Sequence, residues 1–146
     1  MSFTQTAPGI AQAVQQLAGR AGLQVVVQNQ DYVQCGLGLA AGRKQIVHLM
    51  NAGNFGAQTV LHVWTPVVQL PAAGLPANVS TGLLRESANC KLGAFGIRQV
   101  QDAQLLVFYQ NVILESLTPD ELMTILGVVA TTGDQWEQKL GQGDVF

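Results

Sequence analysis

The most constraining feature of the sequence is a run of forty residues, from Gln45 to Leu84, without Asp, Glu, Lys or Arg. A membrane-spanning helix needs about 18 or more consecutive apolar residues. Asn, Gln, His, Gly and Pro residues interrupt this run throughout. The run therefore excludes a spanning helix and predicts a charge-poor part of a soluble domain, with no membrane association.

The composition fits one globular domain over residues 1–146, with 48% hydrophobic residues. Only 11% of the residues are charged, against about a quarter in an average domain. The net charge of −2 provides no basic surplus for phosphates, so we expect no nucleic-acid binding. Cys35 and Cys90 lie far apart and the N-terminus lacks a secretory pattern, which together predict buried thiols in a reducing cytoplasm.

Hydrophobic periodicity divides the chain into three helices and six strands. Helices are predicted over 8–21, 78–88 and 118–140, strands over 23–28, 32–39, 43–50, 58–68, 92–100 and 104–114, and a frayed tail over 141–146. Strands come in runs that helices separate, which favours an antiparallel sheet. We expect an α+β fold with a mainly antiparallel β-sheet, packed with helices at the N-terminus, middle and C-terminus.

Two local patterns refine this order. Thr118 followed by Pro119 and Glu121 predicts a capping box at the start of the last helix. The segment 104–114 is apolar on both faces, which is typical of a central strand or of one in an oligomer interface.

Two further expectations concern the charge-free run. Pro66 removes a hydrogen-bond donor from the fourth strand, so we expect that strand to lie at an edge or to end nearby. The middle helix is expected to face inward through Val79, Leu83, Leu84 and Ala88.

The sequence offers no convincing catalytic or cofactor site. His48 and His62 lie on adjacent predicted strands, but a zinc site wants three or four ligands and no third is visible. The glycine-rich segment 35–42 falls within a strand, so it does not fit a dinucleotide-binding turn. The acidic residues of 115–121 are explained by helix capping. We therefore expect a non-enzymatic protein without metal or cofactor.

The scarcity of charge is the positive signal for function. A 146-residue monomer would expose part of the apolar content of the charge-free run, and uncharged apolar surfaces are typical of protein-binding faces and dimer interfaces. The alternative is an unusual monomer coated with its 18 Gln residues. The residues predicted to contact a partner or a second copy are Val60, Val63, Trp64 and Val68.

Four short motifs in the second half resemble the YbjN family, which shares its fold with type III secretion chaperones. They are Leu83-Leu84-Arg85, Phe95-Gly96-Ile97, Leu105-Leu106-Val107 and the segment Leu117–Leu122. The resemblance implies an α+β domain without catalytic residues that often forms a homodimer. Secretion chaperones of this fold bind extended segments of other proteins, and YbjN-like proteins are described as possible regulators.

Two hypotheses for function follow. The first is a chaperone-like or regulatory homodimer that binds an extended partner segment on the sheet face or at a strand edge. The second is a small-molecule-sensing regulatory domain with a pocket between sheet and helices.

Overall fold

The computed structural model describes residues 9–141 and places helices and strands in the predicted order. The predicted helix start at Pro8 and the predicted tail beyond Gly141 lie outside the described residues. The elements are α1 Ala11–Arg20, β1 Val26–Asn29, β2 Tyr32–Gly38, β3 Lys44–Phe55, β4 Gln58–Gln69, α2 Ala77–Asn89, β5 Ala94–Val100, β6 Ala103–Ile113 and α3 Pro119–Gly141. Short 3-10 turns occupy 40–42 and 114–116.

The six strands form one sheet in the order β1-β2-β3-β4-β6-β5, and every neighbouring pair is antiparallel. Helices precede, interrupt and follow the strands. The α+β fold class predicted from periodicity is confirmed. Segment 104–114, predicted to be central, corresponds to β6 and lies between β4 and β5.

The core lies between one face of the sheet and the helices. Alternate residues of the inner strands point into it and are fully buried, because successive side chains of a strand face opposite sides. They include Val33, Val47, Leu61, Val63 and Phe108. Helix α3 packs across β3, β4 and β6, α1 packs on α3 and β2, and α2 packs on β5.

The placement of Pro66 differs from its prediction. Strand β4 lies between β3 and β6, so the expected edge position is wrong, whereas the alternative expectation that the strand ends near Pro66 agrees with its end at Gln69. Its pairing with β6 shifts register between Pro66 and Val68, which accommodates the missing donor as β-bulges do. Strand β3 was predicted to end at Met50 but continues to Phe55, through a pairing irregularity where Gly53 has a φ of 104°.

The predicted cap of α3 by Thr118 is confirmed, but the Glu121 carboxylate accepts from the Thr118 hydroxyl and not from the Thr118 backbone N–H, as a capping box requires. The Thr118 hydroxyl accepts the Glu121 N–H at 3.1 Å and donates to the Glu121 carboxylate at 2.9 Å. Further along, a Cβ on Gly133 would collide with Cγ2 of Thr65 on β4. The missing side chain therefore lets α3 lie close against the middle of the sheet.

Candidate functional site

The structure places the four predicted contact residues at different depths. Val63 is fully buried under α3, which makes it a core residue that a partner cannot reach. Trp64 is on the opposite face but is only 4% exposed. Val60 and Val68 are half-buried, and Val68 packs against the core. Contact of a partner with Val60 or Val68 stays a prediction.

The sheet face that points away from the helices carries an aromatic cluster around Trp64. We call this face the open face; no helix of residues 9–141 packs against it. His48 on β3 stacks on Trp64 with ring centroids 4.1 Å apart. Arg98 reaches from β5 across β6 and places its guanidinium carbon 4.8 Å from the Trp64 ring centroid. These contacts explain why Trp64 is buried without a helix above it.

Hydrogen bonds hold His48 in place. Gln34 donates to the Tyr32 hydroxyl oxygen at 2.8 Å, and that hydroxyl contacts Nδ1 of His48 at 2.5 Å. When Tyr32 donates to Nδ1, the imidazole proton sits on Nε2. Gln34 and Tyr32 thus orient the ring that stacks on Trp64.

Burial and the charge of Arg98 together keep the histidines of the open face neutral. Burial, and secondarily the Arg98 charge, lowers the pKa of His48 from 6.5 to about 4, so its ring is neutral at pH 7. The pKa of His62 is also lowered, mainly by burial, while its hydrogen bond to Asn111 opposes that change and the Arg98 charge adds to it. The histidines therefore contribute little positive charge beside Arg98.

A second candidate surface lies at the β5 edge of the sheet. Leu84 on α2 and Ile97 on β5 are 71% and 60% exposed, respectively. With Leu83, Phe95 and other apolar neighbours they line a cavity of about 300 Å³ between α2 and the sheet. The expectation that Leu84 and Ala88 face inward is wrong, because α2 turns Leu83 into the core and leaves both of them exposed.

The main chain of β5 is open along part of this edge. The Phe95 N–H donates to the Ser87 hydroxyl at 2.9 Å, so the main-chain groups of Phe95 point away from β6. Because these directions alternate in an antiparallel pair, the groups of Ile97 and Gln99 point outward too. Helix α2 thus covers the start of the edge, and the Ile97–Gln99 part can pair with another strand.

A cleft lined mainly by polar residues lies beside α1. Its volume is about 740 Å³, within the range of small-molecule sites. Gln12, Gln16 and Arg20 recur at every fourth position, so they share one side of α1 and form one wall. Asp31, Asn51, Asn54, Thr59 and Glu115 stand among the other lining residues.

The histidines and cysteines, from which the sequence predicted no catalytic or metal site, each have their own surroundings in the structure. His48 and His62 contact different partners, Tyr32 and Asn111 respectively. Burial raises the pKa of the thiols of Cys35 and Cys90, which disfavours the nucleophilic thiolate. Residues 9–141 bring together no group of three or more His, Cys, Asp or Glu side chains that could hold a metal ion. None of the described helices is both long and apolar enough to cross a membrane.

Comparisons with known proteins return no match, whether to family models, to curated proteins or to solved structures. The structure therefore establishes the fold class alone: an α+β domain in which helices pack against a six-stranded antiparallel sheet.

Sequence reasoning named Trp64 and a strand edge, but it missed both Arg98 and the apolar cavity beside α2, and for one reason. Strand alternation already placed His48 opposite to Val47, but the approach of Arg98 to Trp64 requires the β4-β6-β5 order. This cavity between α2 and the sheet, which we call the α2–β5 groove, likewise depends on the angle at which α2 crosses β5.

Proposed function

We propose that this protein is a non-enzymatic binding domain, chaperone-like or regulatory, that acts as a homodimer and binds an extended segment of a partner protein. The segment adds as a strand to β5 and inserts an apolar side chain into the groove beside α2. The domain needs no cofactor for this activity, and we place its action in the cytoplasm.

The observation that carries the proposal is the coincidence of two features at one edge. Outward main-chain groups at Ile97 and Gln99 lie next to an apolar cavity lined by Leu83, Leu84 and Ile97. Strand addition uses main-chain hydrogen bonds for affinity and pockets for alternate side chains for specificity. The β5 edge offers both.

The opposite edge of the sheet is a poorer template. Strand β1 has four residues and its pairing with β2 is irregular, whereas β5 has seven residues in continuous register. Short and irregular edges discourage strand addition. The proposal therefore assigns binding to β5.

The resemblance to the YbjN family and to type III secretion chaperones supports the same class of function. Two of its motifs, Leu83–Arg85 and Phe95–Ile97, supply residues to the α2–β5 groove. Binding of extended segments by secretion chaperones is the behaviour that we propose here.

The test is capture of a partner by the tagged full-length chain from its native cells, with bound proteins identified by mass spectrometry. We expect a stoichiometric partner that Ile97→Glu abolishes, because a buried unpaired carboxylate opposes docking in an apolar groove. Val26→Glu is the matched control, since Val26 on β1 is 62% exposed and Ile97 is 60% exposed. Equal loss in both variants would contradict the assignment to β5.

The homodimer is tested separately by light scattering coupled to size-exclusion chromatography. A mass near twice the chain's 15.5 kDa supports the dimer, whereas a mass of one chain at micromolar concentration contradicts it.

The polar cleft beside α1 favours a second candidate function, the sensing of a small molecule. Its test is thermal melting against a metabolite panel, where a ligand at 100 times its Kd stabilises the fold by about 2.7 kcal/mol. A hit that Gln16→Ala weakens, with Ile97→Glu unaffected, favours sensing over segment binding.

A further inference from the structure

The charges of the sheet are strongly one-sided. The six strands contain no Asp or Glu, and their only Lys and Arg residues are Lys44 and Arg98. Both belong to the open face, since Lys44 alternates with buried Gln45 and Arg98 lies over Trp64. In a chain with a net charge of −2, the strand residues of the open face therefore carry a formal charge of +2, once the neutral histidines are set aside.

Arg98 is positioned but not neutralised. Among residues 9–141 the one ion pair joins Arg43 to Asp134, on another part of the molecule. The Arg98 guanidinium lies over Trp64 and donates at 3.2 Å to the sulfur of Met50, a weak acceptor. Its remaining N–H groups suit a carboxylate, which arginine binds through two parallel hydrogen bonds.

We propose that the open face binds an acidic segment of a partner polypeptide, with an Asp or Glu carboxylate paired to Arg98 and a second acidic residue near Lys44. This inference rests on the proposed function, since it names the chemistry of a partner and a second surface for it. Stacking on Trp64 holds the guanidinium ready, so little side-chain order is lost on binding.

Charge and shape disfavour other occupants. A second copy packed through the same face would bring Lys44 and Arg98 of both chains together, and like charges at an interface oppose association. Nucleic acids require more cations than two for useful affinity. Small molecules bind in clefts, whereas the open face is the broad side of a sheet.

The test uses two synthetic peptides and the ¹⁵N-labelled full-length chain. One probe is an acetylated, amidated peptide of alternating Glu and Val, and the other replaces every Glu by Gln. We expect the Glu peptide to shift the NMR signals of the Arg98 and Trp64 side-chain N–H groups. The Gln peptide is expected to bind about thirtyfold more weakly, because it keeps the strand propensity but loses the carboxylate partners of both Arg98 and Lys44.

Three variants locate the site. Arg98→Gln is expected to weaken the Glu peptide about tenfold, and Lys44→Gln about threefold, because the lysine lacks a stacked, fixed geometry. Arg85→Gln on α2 is the matched control and should leave the affinity unchanged, since Arg85 is exposed away from the open face. If Arg98→Gln does not fold, Lys44→Gln and the peptide pair decide alone.

The opposing outcomes are distinct. Equal affinity for both peptides, or the same Arg98 and Trp64 shifts with inorganic phosphate or phosphatidylserine vesicles, would overturn the inference. Shifts confined to Leu84 and Ile97 would overturn it while supporting segment binding at β5. A partner captured through Ile97 but unaffected by Arg98→Gln would likewise leave only the proposed function standing.

Discussion

Gly133 provides the sharpest test of how α3 packs on the sheet. In Gly133→Ala the new methyl group would collide with Cγ2 of Thr65. The Thr65 side chain cannot easily rotate Cγ2 away, because its hydroxyl donates to the Ile46 carbonyl at 2.7 Å and accepts from Gln45 at 2.8 Å. The helix or the strand must therefore move, or the two hydrogen bonds must break.

The expected magnitude combines two opposing effects. Overpacking a well-filled core costs about 1–3 kcal/mol, and Ala in place of Gly in a helix returns about 1 kcal/mol. Because the Thr65 rotamer is held by two hydrogen bonds, we expect a net destabilisation of about 1–2 kcal/mol. Gly127→Ala is the matched control in the same helix, where a Cβ meets nothing within 4 Å. We expect it to stabilise by about 1 kcal/mol.

The assay is urea denaturation of both variants and of a Thr65→Ser/Gly133→Ala double variant. Serine keeps the hydroxyl of Thr65 but removes Cγ2, so the methyl group introduced by Gly133→Ala can fill the vacated space. We expect the double variant to be more stable than the sum of the two single changes by about 2 kcal/mol. Equal stability of Gly133→Ala and Gly127→Ala, or additive single changes, would refute this account of the contact.

Three further predictions concern other elements. Thr118→Ala should destabilise by about 1 kcal/mol in urea denaturation, because it removes the cap of α3, and loss of less than half that amount would contradict the role of the cap. In urea denaturation, Arg43→Gln should lower the unfolding free energy more than Asp134→Asn does. The Asp134 side chain is 10% exposed and the Arg43 side chain 45%, so loss of Arg43 leaves a buried carboxylate without its cation, whereas loss of the Asp134 charge leaves a cation that water can solvate. The reverse order would contradict this reasoning. Stability should fall as pH falls from 6.5 to about 4, since the unfolded chain protonates its histidines first while the pKa of folded His48 is about 4. The full pKa shift corresponds to about 3 kcal/mol of unfolding free energy, and to roughly half that after solvent screening of the partly exposed ring. The variant His48→Gln should lose less stability over this pH range. An NMR titration midpoint of His48 near 6.5 would contradict this pH dependence.

The two proposed surfaces lie on different sides of the sheet and can serve one partner. The β5 edge and the α2 groove recognise main chain and apolar side chains, and the open face recognises acidic side chains. A partner that uses both would lose affinity in Ile97→Glu and in Arg98→Gln, and the two effects would add because the sites share no contact.

Local sequence determined most of the elements, because short-range periodicity and capping depend on neighbours in the chain. The helix start at Thr118 and the strand over Gln58–Gln69 follow from residues within a few positions of each other. The antiparallel α+β class followed from the order of these elements. The division of β3 into two faces followed as well, because alternation assigns Val47 and His48 to opposite sides.

Only the tertiary structure decided which distant side chains meet. Pro66 was expected at an edge or near the end of its strand. The sheet places β6 beside β4, and a register shift accommodates the proline. The same order brings Arg98 from β5 over Trp64, a contact between residues 34 positions apart that periodicity cannot encode. The exposure of Leu84 depends on how α2 lies on the sheet. The elements are thus products of local patterns, whereas both candidate surfaces arise from strand order and helix placement, which long-range packing sets.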